Sequence, residues 1–353
     1  MALDGTRASR RIAVPRIGLA PHWAVAWREA AFAFVLSRAL VLVSGVGASA
    51  WLGHSDRAPG FDPSGLTHPF SAAGNELVAP MARWDSVWFL TIADAGYGDD
   101  AARPAFFPLY PLLARAVGTP LGSSLLGGIV VSWVAYLIAL VLLHRLAELE
   151  LRDARAARYA VLACALFPMA FFHTAVYSEG LFLALSLGAV YSARTGAWAW
   201  AGALGALAAG TRSAGVVLVV PLVLLYLRQR RTTAAADRRR PTRADLPLVW
   251  VALVPAGMLA FCGWFAVTGG SVTAPLDAQK VWFREFSGPF VGLWDGWVAA
   301  YQGARQLLSG AREPVYFTAS GGDPFVVAQE NLILFAFLVA CVPAIVGVLR
   351  SLP

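Results

Sequence analysis

The apolar residues of this chain arrive in uninterrupted runs, most of them close to the ~20 residues at which a helix crosses the ~30 Å hydrocarbon core of a bilayer. Such runs fall at 30–52, 120–143, 159–176, 179–193, 246–267 and 328–349, with a further apolar stretch at 197–227 broken by Thr211, Arg212 and Ser213. Composition agrees: 58% of the residues are hydrophobic and 14% charged, where a soluble domain carries about 25% charged. The expected fold class is an all-α polytopic membrane protein occupying 1–353 as one domain. Disordered chains, secreted disulfide scaffolds and nucleic-acid binders are excluded. The first run is too long for a signal-peptide core and no small-residue cleavage site follows it, so it reads as a retained span.

Charge assigns the sides. Lys280 is the only lysine among 28 basic residues, and the net charge is +7. Placing 1–28, 144–158, 194, 228–245 and 350 on one side gathers 18 basic residues there, against 8 in the loops 54–118 and 268–330. Those loops hold 13 of the 21 acids. By the positive-inside rule the first side is cytoplasmic and the N-terminus lies within. The segment 197–227 must then enter and return, and arms of about 14 residues reach only ~21 Å, so it reads as a broken hairpin buried among other helices. Arg38, ~12 Å into the first run by helical rise, is expected to snorkel back to the cytoplasmic surface.

The two long outer loops, 54–118 and 268–327, are rich in Trp, Tyr, Phe and Pro and are expected to be ordered and to carry the chemistry. In 83–100, RWDSVWFLTIADAGYGDD, residues Trp84, Val87, Trp88, Thr91, Ile92 and Ala95 recur at helical spacing, as in a helix lying along the interface. Asp85 beside them reads either as an N-cap or interfacial carboxylate paired with Arg83, or as a general base whose pKa desolvation raises. The stretch AFFPLYPLL at 105–113 carries prolines three apart, which argues against a regular helix through it.

Other polar groups stand in apolar surroundings. Arg212 and Glu179 read equally as a structural pair or as substrate ligands, with Tyr177 beside Glu179. His173 is a core histidine or a proton shuttle. Gln279, Lys280, Trp282 and Arg284 form either an anchor belt or a cationic site. Asp94, Asp99 and Asp100 beside Gly-Tyr-Gly have the composition of a turn, and no metal site is expected. Cys164, Cys262 and Cys341 lie in apolar segments without ligand spacing. Walker A, HExxH and nucleophile-elbow patterns are absent from the sequence.

The string at 83–100 followed by 105–113 resembles the signature of the PIG-V-like mannosyltransferases, relatives of the second mannosyltransferase of GPI-anchor assembly. Further matching blocks follow in order: FPMAFFHTAVYSEGLFLALSLGAVY at 167–191, GTRSAGVVL at 210–218 and PLDAQKVWFREFSGPFVGLW at 275–294. The resemblance runs from about residue 30 to 350. It implies a GT-C-like helical bundle that takes mannose from a polyprenyl-phosphate-mannose donor on the extracytoplasmic side, with inversion, Asp85 acting as base. Arg83, Trp84, Trp88, Tyr97, His173, Tyr177, Glu179, Arg212, Gln279, Lys280, Trp282 and Arg284 are the candidate substrate-binding residues. No cofactor is implied beyond the lipid-linked donor. The partners are the bilayer, a polyprenyl-phosphate sugar and a glycolipid or glycan acceptor. Relatives carry further spans beyond the last one here, so either a C-terminally truncated sequence or a shortened member is expected, and the Arg- and Ala-rich composition suits a bacterial cell membrane. A transporter or lipid-handling protein is the competing class, as is a non-catalytic subunit of such a transferase. A transporter would place its ionisable residues at mid-membrane within repeated halves, whereas here they gather on the outer side and no repeat is visible.

Overall fold

Every regular element in the computed structural model is helical, and the residues described are 19–52, 62, 64–236, 246–282, 288, 290–316 and 323–351. In chain order the helices are α1 (Leu19–Leu52), α2 (Ala72–Val78), α3 (Ser86–Ala95), α4 (Leu109–Leu121), α5 (Ser124–Leu151), α6 (Ala154–Leu166) and α7 (Glu179–Arg194). They continue as α8 (Trp198–Ala209), α9 (Val219–Ala236), α10 (Leu246–Val251), α11 (Ala256–Val267), α12 (Ala274–Val281), α13 (Val291–Ser309) and α14 (Pro324–Ser351). Among the described residues four stretches are long and apolar enough to cross a membrane: His22–Trp51, Ser124–Leu151, Ser213–Arg231 and Pro324–Gly347. The protein is thus an all-α, integral membrane protein. The chain divides into two compact units, residues 1–282 and 283–353.

Several apolar runs are not single helices, and proline explains most of the breaks. The run 159–176 is α6 followed by a 3₁₀ segment, Pro168–His173, because Pro168 has no N–H to continue the ladder. The run 246–267 is split into α10 and α11, with Pro255 at the N-cap of the second. At 105–113 the prolines do not prevent a helix. Pro108 sits at the N-cap of α4 and Pro111 in its first turn, where backbone N–H groups have no intrahelical partner to lose. In 197–227, α8 ends at Ala209, a 3₁₀ segment runs Ser213–Leu218, and α9 extends to Ala236. The second arm is therefore longer than hydropathy alone suggests, because its polar end remains helical.

The largest core is built around α5, whose buried Ile129, Ala135, Tyr136, Ala139 and Leu140 are packed by α1, α3, α4, α6 and α7. Small residues permit the close crossings. A Cβ on Gly127 of α5 would lie 2.1 Å from the Ala114 carbonyl of α4, and one on Gly257 of α11 would lie 1.9 Å from the Ala206 carbonyl of α8. At one end of this bundle Glu29, Glu148 and Glu150 meet Arg158, Arg145 and Arg194 in ion pairs.

The loop before α2 orders itself. Asp62 accepts hydrogen bonds from the N–H groups of Leu66 and Thr67 and from the Thr67 hydroxyl, at 2.9, 3.0 and 2.6 Å. Burial alone would raise its carboxyl pKa, but these bonds outweigh it and hold the group below the usual carboxylate range. In the second unit, buried Gln306 of α13 donates to the carbonyls of Ala311 and Glu313 and accepts from the Val315 N–H, folding the following turn back on the helix.

Candidate active site

Asp85 stands at the N-cap position of α3, yet its side chain makes no capping bond. What holds it is the residue before it and the chain facing it. Trp84 has φ +46°, a left-handed conformation that costs a non-glycine residue about 1–2 kcal/mol. Its ring is held 5.3 Å from Phe171 and 6.1 Å from Phe172. The Asp85 N–H donates to the Tyr177 hydroxyl at 2.8 Å, and the Val176 N–H donates to the Met81 carbonyl at 2.9 Å. The residues preceding α3 are thereby laced to those preceding α7.

Glu179 opens α7, where the helix dipole favours a carboxylate. Arg212, at the break after α8, ion-pairs with Glu179 and donates to the Ser178 hydroxyl at 3.2 Å. Burial, the Asp85 carboxylate and the Glu179 carboxylate push the Tyr177 hydroxyl above its usual range, so it stays a neutral phenol between two acids. Arg83 turns away from this pair and donates to the Ser49 hydroxyl of α1 at 3.2 Å. One turn along α3, Trp88 stacks on Phe106 at 5.8 Å and meets Trp282 edge-on at 5.4 Å. The Trp282 indole N–H donates to the Ala102 carbonyl at 3.3 Å.

Arg83, Trp84, Asp85, Tyr177, Glu179 and Arg212, drawn from three separate segments of the sequence, thus form one constellation. The sequence profile described as Mannosyltransferase (PIG-V) matches residues 29–246, which include all of them. The chain belongs to the PIG-V mannosyltransferase family. It is similar to the GPI alpha-1,6-mannosyltransferase 2 of Rattus norvegicus, 39% identical over 173 residues, or 46% of this chain and 34% of the rat protein. The Cricetulus griseus protein of the same name is 37% identical over 155 residues, covering 40% of this chain and 31% of that protein. The Homo sapiens protein is 34% identical over 154 residues, with the same two shares. The match spans about a third of the length of these curated relatives. No solved structure matches the chain.

The PIG-V match stops short of the block at 275–294. Within that block Trp282 reaches the first loop, as described, but the Lys280 ammonium is paired with Asp277 at 3.1 Å and its side chain is 70% exposed. Gln279 is half-buried on α12, and Arg284 lies outside the described residues. Asp277 itself is held below its usual carboxylate range by the Thr273 hydroxyl and Lys280. Tyr97 packs against Phe261, Trp264 and Phe265, and its hydroxyl donates to the Phe106 carbonyl at 2.7 Å. Burial pushes that hydroxyl above its usual range, and its bond is already made inside the protein.

α3 differs from an interfacial helix. Ser86, Val87, Phe89, Leu90, Ile92 and Ala93 are all buried, so it is packed on most of its circumference, and Trp84 precedes it rather than joining its stripe. Arg38 does not snorkel. It is 3% exposed, donates to the Ala170 carbonyl at 3.2 Å, and lies 4.7 Å over the ring of Tyr136. His173 stacks on that same ring at 4.2 Å. This column supports the 3₁₀ segment that carries Phe171 and Phe172 beneath Trp84.

Sequence reasoning missed Ser49, Ser178, Phe106 and the Phe171–Phe172 shelf. The hydroxyls gave no local signal, since their importance comes from guanidinium groups far away in sequence. Asp100 bonds the Ala102 N–H at 2.8 Å and lies 3.6 Å from Arg103, the behaviour of a turn residue. Among the described residues no three His, Cys, Asp or Glu side chains cluster as a ligand set.

Proposed function

We propose that the chain is a membrane mannosyltransferase that moves mannose from a polyprenyl-phosphate-mannose donor to a glycolipid or cell-envelope glycan acceptor on the extracytoplasmic side. The observation that carries the reading is the placement of Asp85, within the PIG-V match, at the head of α3 between the Trp84–Phe171 shelf and the Tyr177 clasp. A sugar hydroxyl is a weak nucleophile, and a carboxylate within hydrogen-bond reach removes its proton as it attacks the anomeric carbon. The new C–O bond forms as the bond to the lipid phosphate breaks on the opposite face, so the anomeric carbon inverts and polyprenyl phosphate leaves. Tyr177 holds the Asp85 backbone, and the Arg212 guanidinium neutralises Glu179 beside it. Lys280 stabilises the phosphate charge that develops on the leaving group. The protein sits in a bacterial cell membrane with its N-terminus inside. It needs no cofactor besides the activated donor.

The test is purified protein with labelled polyprenyl-phosphate-mannose and membrane lipids, with product identified by mass spectrometry. Asp85→Asn should lower transfer by about 10²–10⁴-fold while the protein remains monodisperse, and chelation with EDTA should change nothing. Undiminished transfer by the Asn variant would remove Asp85 from the mechanism.

A further inference from the structure

A groove of about 820 Å³ opens between α1 and the α6–Pro168 corner, and its upper end is formed by Arg83 and Trp84, next to Asp85. Along α1 its lining runs from Ser37 to Ser49, which is ~18 Å of helix. Ser44 and Ala48 keep the floor low, and exposed Leu40, Leu166 and Phe167 make an apolar rim. Because α1 is one of the membrane-crossing helices, most of this length lies at hydrocarbon depth, where water cannot be the occupant and a single hydrocarbon chain can. The head end differs in chemistry. The Arg83 guanidinium, steadied by Ser49, and the indole of Trp84, 67% exposed, suit an anionic headgroup carrying sugar hydroxyls.

The occupant's role follows from the geometry of displacement, and this step rests on Asp85 being the base. Nucleophile and leaving group lie on opposite faces of the anomeric carbon, and the base must be on the nucleophile's side. The groove ends at the residues immediately preceding Asp85. The Trp88–Phe106–Trp282 cluster, with α12 behind it, lies one turn further along α3. We infer that the α1–α6 groove holds the hydrocarbon chain of the acceptor, an anionic phosphate-bearing glycolipid, with Arg83 on its headgroup phosphate. The donor's polyprenyl chain takes a different route, on the Trp282 side.

The experiment uses the full chain in lipid nanodiscs with phosphatidylinositol bearing a photoactivatable diazirine on one acyl chain, the sites of labelling being read by peptide mass spectrometry. The expected result is labelling at 40–48 and 165–168, displaced by unlabelled phosphatidylinositol and not by polyprenyl phosphate. Labelling displaced only by polyprenyl phosphate would assign the groove to the donor, and labelling displaced by neither would reduce it to a bulk-lipid surface; both overturn the proposal. Ala48→Trp and, independently, Ser44→Trp fill the groove from its exposed floor. Each should raise the acceptor KM about ten-fold or more while the donor KM stays within about two-fold, since filling one site withholds binding energy from one substrate only. A rise in donor KM alone, or no change in either, contradicts the assignment. The photolabelling requires no turnover, so a failure of Asp85 as base and a failure of the groove register separately.

Discussion

Trp84 and Asp85 show how a carboxylate proposed as the base can stand at a helix N-cap without capping the helix it begins. An aspartate at an N-cap ordinarily bonds the first-turn N–H groups. Here the left-handed Trp84 turns the chain so that Asp85 makes no such bond, and the cost of that turn is met by aromatic packing and by Tyr177. Tyr177→Phe retains the ring packing on Phe89 and Phe172 but leaves the Asp85 N–H without its acceptor. The expected outcome is a loss of about 1–3 kcal/mol of stability, measured by thermal unfolding in detergent, together with a fall in kcat larger than any rise in acceptor KM. A variant with unchanged kcat would show that the clasp does not position the base.

At the scale of elements, the breaks matter more than the helices. Pro168 ends α6 and delivers Phe171 and Phe172 to Trp84; the turn after Ala209 delivers Arg212 to Glu179. The second of these breaks is held by close crossings on its other side. The Leu109 N–H donates to the Gly210 carbonyl at 3.1 Å, tying α4 to the same turn. Gly257 of α11 lies against the backbone of Ala206, one turn before that break. A leucine there has backbone, not a flexible side chain, in its way. Gly257→Leu should therefore cost about 1–3 kcal/mol or more by overpacking. Arg212 would be displaced with α8, so the proposed mannosyl transfer should fall along with the unfolding temperature. A stable, fully active Gly257→Leu protein would mean that the α8–α11 contact does not support the site.

For the whole molecule, the question is which way the bundle faces. The ion pairs of Glu29, Glu148 and Glu150 with Arg158, Arg145 and Arg194 lie at the α5 end that terminates in Leu151. The Asp85 constellation lies near the opposite end, where the Tyr110 and Ser132 hydroxyls meet the Tyr177 carbonyl and Gly128. The proposed orientation predicts that a cysteine at Ser64 in a cysteine-free background reacts in intact cells with a membrane-impermeant maleimide. One at Asp153 should react only after the cells are opened. The reverse pattern would invert the topology and place the transfer on the cytoplasmic side.

How much of this could be read before the fold was known follows from what each feature depends on. Membrane class and helical content depend on composition along short windows, so the amino-acid order alone was sufficient. Family signatures belong here too, because RWDSVW and FHTAVYSEG are contiguous strings; Asp85, Tyr177, Glu179 and Arg212 were visible as candidates one by one. Their assembly was not visible. Tyr177 reaches Asp85 across 92 residues and Arg83 reaches Ser49 across 34, and no periodicity encodes a hydrogen bond between separate segments. Arg38 makes the same point. Alone in an apolar run it looks like a residue that must escape to the surface, and only the carbonyl of Ala170 and the face of Tyr136, brought there by other helices, let it remain buried. Local chemistry dictates which stretches are helical and lipid-soluble. The pairing of polar groups inside the bundle is decided by tertiary packing, because the energy of a buried charge depends on neighbours the chain supplies from elsewhere.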